Sequence, residues 1–204
     1  MRDQFYGDNR DLVKWGVLLE LARRYRAKHI LQVLYLRPSS WGRLEINDER
    51  VELAPAVVQH FRNTASVSTI QCPAEIEVIS ENFGSRTDYL GTLLQRIRLR
   101  TQLPGIVFLD PDTGLEPHNA GPEHVLESEL TEIWHALSSG DILAFYQHQT
   151  NRDGTPWIEP KKAQFERALG VNRGSAKIGR AAEIARDVAF FFIEKNGRDT
   201  VVVD

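Results

Sequence analysis

The chain has 204 residues, 42% of them hydrophobic and 26% charged, which excludes collagen-like, mucin-like and wholly disordered proteins. Its 25 lysine and arginine residues against 28 aspartate and glutamate residues give a formal net charge of -3, which excludes a histone-like protein. We expect one domain spanning residues 1–204, because a chain of this length can bury a core without disulfides or a structural metal.

The single cysteine, Cys72, has no partner for a disulfide within the chain, so a reducing cytoplasm is the expected location. No apolar stretch approaches the roughly 18–20 residues that a membrane span requires. We therefore expect no signal peptide and no membrane anchor.

Hydrophobic periodicity predicts an alternation of helices and strands along the chain. The predicted helices span residues 11–26, 54–63, 87–100, 127–138 and 159–169. The predicted strands span residues 29–36, 76–79, 106–109, 142–146, 188–194 and 200–203, with a hairpin-like excursion at 41–51. Such alternation indicates an α/β fold, in which a mostly parallel, Rossmann-like sheet carries helices on both faces and ends in a C-terminal β-hairpin.

In sheets of this kind ligands bind beyond the carboxyl ends of the strands, so the residues that follow each predicted strand are the candidates for a site. Asp110, Asp112 and Glu116 come directly after the apolar strand 106–109. Acids this close repel one another unless a cation or a donor lies between them. One interpretation is a Mg²⁺ or Mn²⁺ site formed by these three carboxylates, and the other is a turn whose side chains cap local amides.

A second polar group follows the strand 142–146. Gln147, His148 and, further on, Trp157 offer an amide, an imidazole and an aromatic face, a set that could bind a planar base. Together with Glu116, Gln147 and Trp157 are the candidate substrate-binding residues. His148 is a candidate general base.

The residues before the first predicted helix are a third candidate group. Asp8, Asn9 or Asp11 could cap that helix. Lys14 lies one turn inside it, where a cation gains nothing from the helix dipole, so a role against a carboxylate or a phosphate is an alternative to simple solvation.

Basic residues could provide a local face for nucleic acid despite the acidic net charge. The group with glycines between its members is the best candidate for a phosphate-binding loop, and it consists of Arg173, Lys177, Arg180 and Arg186.

Two segments carry a resemblance to a known family. Residues 5–15 (FYGDNRDLVKW) resemble the N-terminal stretch of the bacterial ribosomal-RNA adenine-N6 methyltransferases, and residues 106–112 (IVFLDPD) resemble their strand that ends in Asp-Pro-Pro-Tyr. The three-Cys-motif partner proteins have a similar Asp-Pro ending. The order of elements also suits a class I methyltransferase. This chain differs in having Asp112 and Thr113 at the Pro-Tyr positions, Trp15 at a histidine position and one glycine, Gly42, after the first strand.

The resemblance implies S-adenosylmethionine as cofactor and an amine of adenine in nucleic acid as acceptor. It implies that Asp110 accepts a hydrogen bond from the target amine. Asp112 and His148 are further catalytic candidates from their positions after the strands. It places Asp8, Asn9, Lys14 and Asp110 beside the cofactor. Two alternatives stay open: metal-dependent phosphate or nucleotide-sugar chemistry through Asp110 and Asp112, and an inactive interaction module of the same fold.

Overall fold

The computed structural model describes residues 8–37, 43–46, 49–54, 56–57, 64–101, 103–149, 151 and 154–196. The helices are α1 Asn9–Tyr25, α2 Arg86–Leu99, α3 Glu127–Ala136 and α4 Ile158–Ala168, with a 3₁₀ helix at Thr64–Thr69. The strands are β1 His29–Val33, β2 Arg43–Ile46, β3 Glu49–Glu52, β4 Glu75–Ile79, β5 Gly105–Leu109, β6 Gly114–Leu115, β7 His124–Val125, β8 Ile142–His148, β9 Lys177–Gly179 and β10 Val188–Glu194.

Six strands form the central sheet in the order β4-β1-β5-β8-β10-β9. Strands β4, β1, β5 and β8 are parallel to one another, whereas β10 is antiparallel to both of its neighbours, β8 and β9. The carboxyl ends of β1, β5 and β8 therefore meet the amino end of β10 at one edge of the sheet. The register places Val188, the first residue of β10, opposite His148, the last residue of β8.

Successive residues of the central strands point to opposite faces of the sheet, and both sets are apolar. Helices therefore cover both faces. On one face, Phe108 and Phe190 of the sheet pack with Leu18 of α1. On the other, Phe145 and Phe191 lie in one cluster with residues of the other three helices, which include Leu93, Trp134 and Phe165. The predicted α/β fold with a mostly parallel sheet is thus confirmed.

The element boundaries agree with the sequence expectations where long apolar patterns exist. Strand β10 has the predicted limits, whereas β1 ends at Val33, three residues short of the predicted end. Strand β8 extends two residues past its predicted end and takes in Gln147 and His148. The hairpin-like excursion contains the antiparallel pair β2–β3. Most of the predicted helix 54–63, and the whole predicted strand 200–203, lie outside the described residues.

Side-chain caps define where two helices begin. The Asp8 carboxylate caps α1 by accepting from the backbone N–H groups of Arg10 at 2.7 Å and Asp11 at 3.1 Å. Ser85 caps α2 through the N–H of Asp88. Within the part of the chain that the structure describes, none of the helices combines the length and apolar character needed to cross a membrane.

Candidate functional site

A cavity of about 500 Å³ opens at the edge of the sheet where β1, β5 and β8 end. This volume lies in the range of roughly 300–1,000 Å³ typical of small-molecule sites. Its lining residues are Asp8, Arg10, Asp11, Lys14, Arg37, Asp110, Pro111, Asp112, Thr113, Glu123, Tyr146 and His148. The cavity is therefore built from the start of α1 and from the segments that follow three neighbouring strands.

Asp110 forms the floor of the cavity and is held by two side chains. Its Oδ2 atom lies 2.8 Å from the Lys14 ammonium and accepts a hydrogen bond of 3.0 Å from the Gln32 amide. Lys14 also lies 2.5 Å from a carboxylate oxygen of Asp11. Asp110 and Lys14 are 1% and 3% exposed, so this ion pair is almost wholly removed from water. Both contacts use Oδ2, which makes Oδ1 the oxygen of Asp110 that can meet a ligand.

Burial and nearby charges both shift the pKa values of Asp110 and Lys14. Burial raises the pKa of Asp110 above its ordinary value, and the ammonium of Lys14 opposes that shift. Burial alone would lower the pKa of Lys14, but the charges of Asp110 and Asp11 outweigh burial and raise it. Lys14 is therefore a permanent cation at neutral pH, and it lies 5.4 Å from the centre of the Tyr146 ring.

Arg37 connects three segments at the mouth of the cavity. Its guanidinium pairs with the Asp112 carboxylate, its Nε donating over 3.0 Å, and lies 3.3 Å from Glu123. Arg37 follows β1, Asp112 follows β5 and Glu123 precedes β7, so these ion pairs fix the loops around the cavity relative to one another.

The loop after β1 turns at Tyr35, whose φ of 46° is left-handed. This conformation is costly for a residue with a side chain. Tyr35 is held there by a hydrogen bond of 3.1 Å from its N–H to the Tyr89 hydroxyl, and its ring packs against those of Tyr89 and Phe83. An aromatic cluster thus shapes the turn at which the resemblance leads one to expect a glycine-rich loop.

His148 lines the cavity at the end of β8 and contacts Asp187, which precedes β10. His148 Nε2 lies 3.1 Å from Asp187 Oδ2, and the Arg10 guanidinium lies 2.5 Å from the same oxygen. Burial would raise the pKa of Asp187, but its hydrogen bond and charge interaction with Arg10 lower the pKa below the ordinary value. Asp187 is therefore ionised at neutral pH.

Four of the sequence-predicted site residues lie outside the cavity lining. Gln147 is fully buried, and its amide accepts from the N–H of Leu115 and donates to the carbonyl of Thr113, so it braces a loop instead of facing a ligand. Glu116 accepts a hydrogen bond of 2.6 Å from the backbone N–H of Glu127 at the start of α3. Trp157 packs against the core cluster beside α4. Asn9, a predicted cofactor contact, is an exposed residue at the start of α1.

Gly114, next to the cavity, is expected to be intolerant of alanine. Its φ is 125°, and an added Cβ would lie 2.4 Å from the Gln147 carboxamide. Gly114→Ala should therefore lower the free energy of unfolding by about 1–3 kcal/mol, measured by urea denaturation. The matched control is Gly16→Ala in α1, where a Cβ meets nothing within 4 Å and should stabilise the helix. Equal stabilities of the two variants would contradict this prediction.

The metal interpretation of Asp110, Asp112 and Glu116 finds no support. The first carboxylate pairs with a lysine, the second with an arginine, and the third accepts from a backbone amide. Among the described residues, no group of three or more histidine, cysteine, aspartate or glutamate side chains is arranged to hold a metal ion. We therefore do not pursue metal-dependent chemistry.

Several cavity residues carry no signal that marks them in the sequence. Arg10 and Arg37 are ordinary charged residues of a helix start and a loop, and Gln32 is one polar residue within an apolar strand. Asp187 was missed because only residues that follow strands were considered. It precedes a strand, and it reaches the site because β10 is antiparallel.

No protein-family model matches the chain, and no curated protein matches it. Among solved structures, it is similar to a DUF574 family protein from Streptomyces avermitilis, with 11% identity, a TM-score of 0.45, and coverage of 92% of this chain and 82% of that one. A provisionally named methyltransferase from Thermobifida fusca has 13% identity, a TM-score of 0.43, and coverage of 92% and 80%. PigF, solved with SAH, has 12% identity, a TM-score of 0.34, and coverage of 94% and 65%.

Proposed function

We propose that this chain is an S-adenosylmethionine-dependent methyltransferase. One observation carries the proposal: the two segments that resemble the adenine-N6 methyltransferases, 96 positions apart at Lys14 and Asp110, meet at 2.8 Å on the floor of one cavity. Neither segment is specific by itself. Their convergence at the carboxyl end of a central strand is what a shared site requires.

The cavity residues fit the cofactor in size and in chemistry. The Arg10 Nε atom is buried, and no described residue accepts its hydrogen, so it can donate to the carboxylate of the cofactor. The Asp8 and Asp11 carboxylates line the same cavity and suit the amino group of the cofactor. The volume of about 500 Å³ matches a ligand of this class.

When held by Arg10, Asp8 and Asp11, the cofactor would supply an electrophilic methyl group, and the electron pair of its carbon–sulfur bond would stay with sulfur. The chain's own contribution is position and charge. Lys14 and Gln32 fix Asp110 through Oδ2, so Oδ1 is held in one place to accept a hydrogen bond from the acceptor. The ion pairs of Arg37 hold the surrounding loops.

An amine of adenine is the acceptor that the resemblance suggests, with Asp110 orienting the nitrogen. Nucleic acid as the carrier of that adenine stays a prediction. Arg173, Arg180 and Arg186 are exposed, which is compatible with phosphate contact, whereas the ammonium of Lys177 donates to the Tyr25 hydroxyl at 2.8 Å.

Calorimetric titration with S-adenosylmethionine tests the proposal directly. The wild-type chain should bind with a stoichiometry near one. Arg10→Met should weaken binding about tenfold, because a charge-assisted hydrogen bond is lost. The control is Arg23→Met, the same substitution on an exposed face of α1, and it should leave binding unchanged. Absence of binding heat at millimolar cofactor would refute the proposal.

A second candidate function is an interaction module that has lost catalysis. The observation that favours it is the engagement of Asp110 by Lys14 and Gln32, which leaves the carboxylate with one oxygen for a substrate. The same titration separates the two candidates, because an inactive module has no requirement to bind the cofactor.

A further inference from the structure

The dyad of His148 and Asp187 has a fixed geometry that the methyl-transfer proposal above does not use. Nε2 of His148 lies 3.1 Å from Oδ2 of Asp187. The backbone holds both residues, because His148 ends β8 opposite Val188, and the carbonyl of Asp187 accepts a hydrogen bond of 2.8 Å from the N–H of Gln149. The dyad thus lies at the end of a strand ladder and not on a free loop.

Arg10 determines which nitrogen of His148 carries the proton. Its guanidinium lies 2.5 Å from Asp187 Oδ2 and 2.9 Å from a carboxylate oxygen of Asp8. An ionised Asp187 accepts, so in the neutral imidazole the hydrogen resides on Nε2 and the lone pair on Nδ1. The charged and titratable groups around the imidazole are Arg10 and Asp8 from α1, Tyr146 from β8, and Asp187 from before β10.

The other candidate bases of the cavity are committed to cations. Asp110 pairs with Lys14, and Asp112 and Glu123 pair with Arg37. Burial raises the pKa of the Tyr146 hydroxyl, so it stays protonated. Among the described residues that line the cavity, His148 offers an imidazole that is not paired with a cation, and its side chain is 29% exposed and can reach a ligand.

We propose that His148 is the proton acceptor of this site and that the methyl acceptor carries a phenolic hydroxyl, in place of the adenine amine that the resemblance suggests. This inference rests on the proposed methyltransferase function. As the acceptor oxygen bonds to the methyl carbon, its O–H bond breaks and the proton passes to Nδ1, which gives an imidazolium stabilised by Asp187. A neutral amine attacks without prior loss of a proton and needs no such base, whereas a hydroxyl does.

A phenol suits this base and this wall of the cavity. A phenolic hydroxyl has a pKa of about 10, a few units above that of an ordinary imidazole, so proton transfer during attack is feasible. Tyr146 lies two residues before His148 on the same face of β8, and both line the cavity. Its ring, 6% exposed, forms part of the cavity lining beside the base and makes that lining less polar for an aromatic acceptor.

The tautomer can be measured without cofactor or acceptor. In ¹⁵N-histidine spectra of the full chain, the signal that disappears in His148→Asn is assigned to His148, and His135→Asn, at an exposed position on α3, serves as the control. We expect the neutral form to carry its proton on Nε2 in the wild type and to lose this preference in Asp187→Asn. A proton on Nδ1 in the wild type overturns the proposal.

Methyl transfer tests the acceptor class, with catechol and adenosine as probes and labelled S-adenosylmethionine as donor. The wild-type chain should methylate catechol. His148→Asn should lower the rate about 10²–10⁴-fold, with cofactor affinity unchanged within twofold. His135→Asn should match the wild type.

The outcomes separate this inference from the proposed function. Cofactor binding without methylation of catechol, or methylation of adenosine alone, overturns the phenol assignment and leaves the methyltransferase proposal standing. Equal catechol rates for His148→Asn and the wild type overturn the role of the imidazole. Absence of cofactor binding defeats the proposed function itself, and with it this inference.

Discussion

Replacing Lys14 with methionine is expected to lower the free energy of unfolding by about 3–5 kcal/mol. The substitution leaves the carboxylate of Asp110, 1% exposed, without its ammonium, and among the described residues the neutral Gln32 amide is then the remaining donor to Oδ2. Because the pKa of Lys14 is raised in the folded chain, its stabilisation is complete below the unfolded pKa of about 10.4 and is lost as pH rises through the folded pKa. The deficit should therefore shrink as pH rises through the folded pKa of Lys14.

Urea denaturation of a double-mutant cycle measures this effect. Lys14→Met combined with Asp110→Asn removes both charges and keeps an amide able to bond to Gln32. The loss of unfolding free energy in the double variant should be smaller than the sum of the losses in the two single variants by about 1–3 kcal/mol. Lys28→Met, at an exposed position just after α1, should stay within about 0.5 kcal/mol of the wild type. Strict additivity would mean that the pair contributes nothing to folding.

Replacing Asp141 with alanine is expected to lower the free energy of unfolding by about 3–5 kcal/mol, because it also breaks a buried ion pair. Asp141 lies at the amino end of β8, away from the cavity. Asp141 is completely buried and lies 2.7 Å from the Arg100 guanidinium. It also accepts hydrogen bonds from the backbone N–H groups of Gly105 at 2.8 Å and Ser138 at 2.9 Å. Alanine leaves a buried guanidinium and two buried amides without this acceptor.

This loss should affect stability and not ligand binding, because Asp141 precedes β8 while the cavity lies beyond its other end. Urea denaturation and cofactor titration of the same variant measure the two effects. Asp141→Asn keeps one acceptor oxygen and should lose less stability than alanine. Glu132→Ala, exposed on α3, should change stability by no more than about 0.5 kcal/mol. A loss below 1 kcal/mol for Asp141→Ala would contradict the prediction.

The central strands were predictable because they are buried on both faces. A strand covered by helices on both sides has no polar face, so β5 and β10 appear in the sequence as apolar runs. Short strands lack this signal. Strand β9 has three residues, with Lys177 exposed, and it lies in a segment interpreted from its charges as a basic loop. Its pairing with β10 depends on a neighbour distant in sequence.

The candidate site was predictable only in part, because the strands beside it do not all run in the same direction. Asp110 and His148 follow or end strands of one orientation, and the rule that ligands bind beyond carboxyl ends identifies both. Lys14 was noticed because a cation near the start of a helix is unfavourably placed. Gln147 was misassigned because β8 is longer than its apolar run. The alternation of a strand then directs Gln147 inward and His148 toward the cavity.

The reversed orientation of β10 has a consequence for how such a cleft can diversify. In a sheet whose strands all run in one direction, the strand segments beside the binding site all follow a carboxyl end of a strand. Here Asp187, in a segment that enters a strand, contacts His148 of the cavity lining and is tied to the first turn of α1 by its ion pair with Arg10. Because this ion pair joins the two sides of the site, a substitution on one side constrains which residues the other side can accept in evolution.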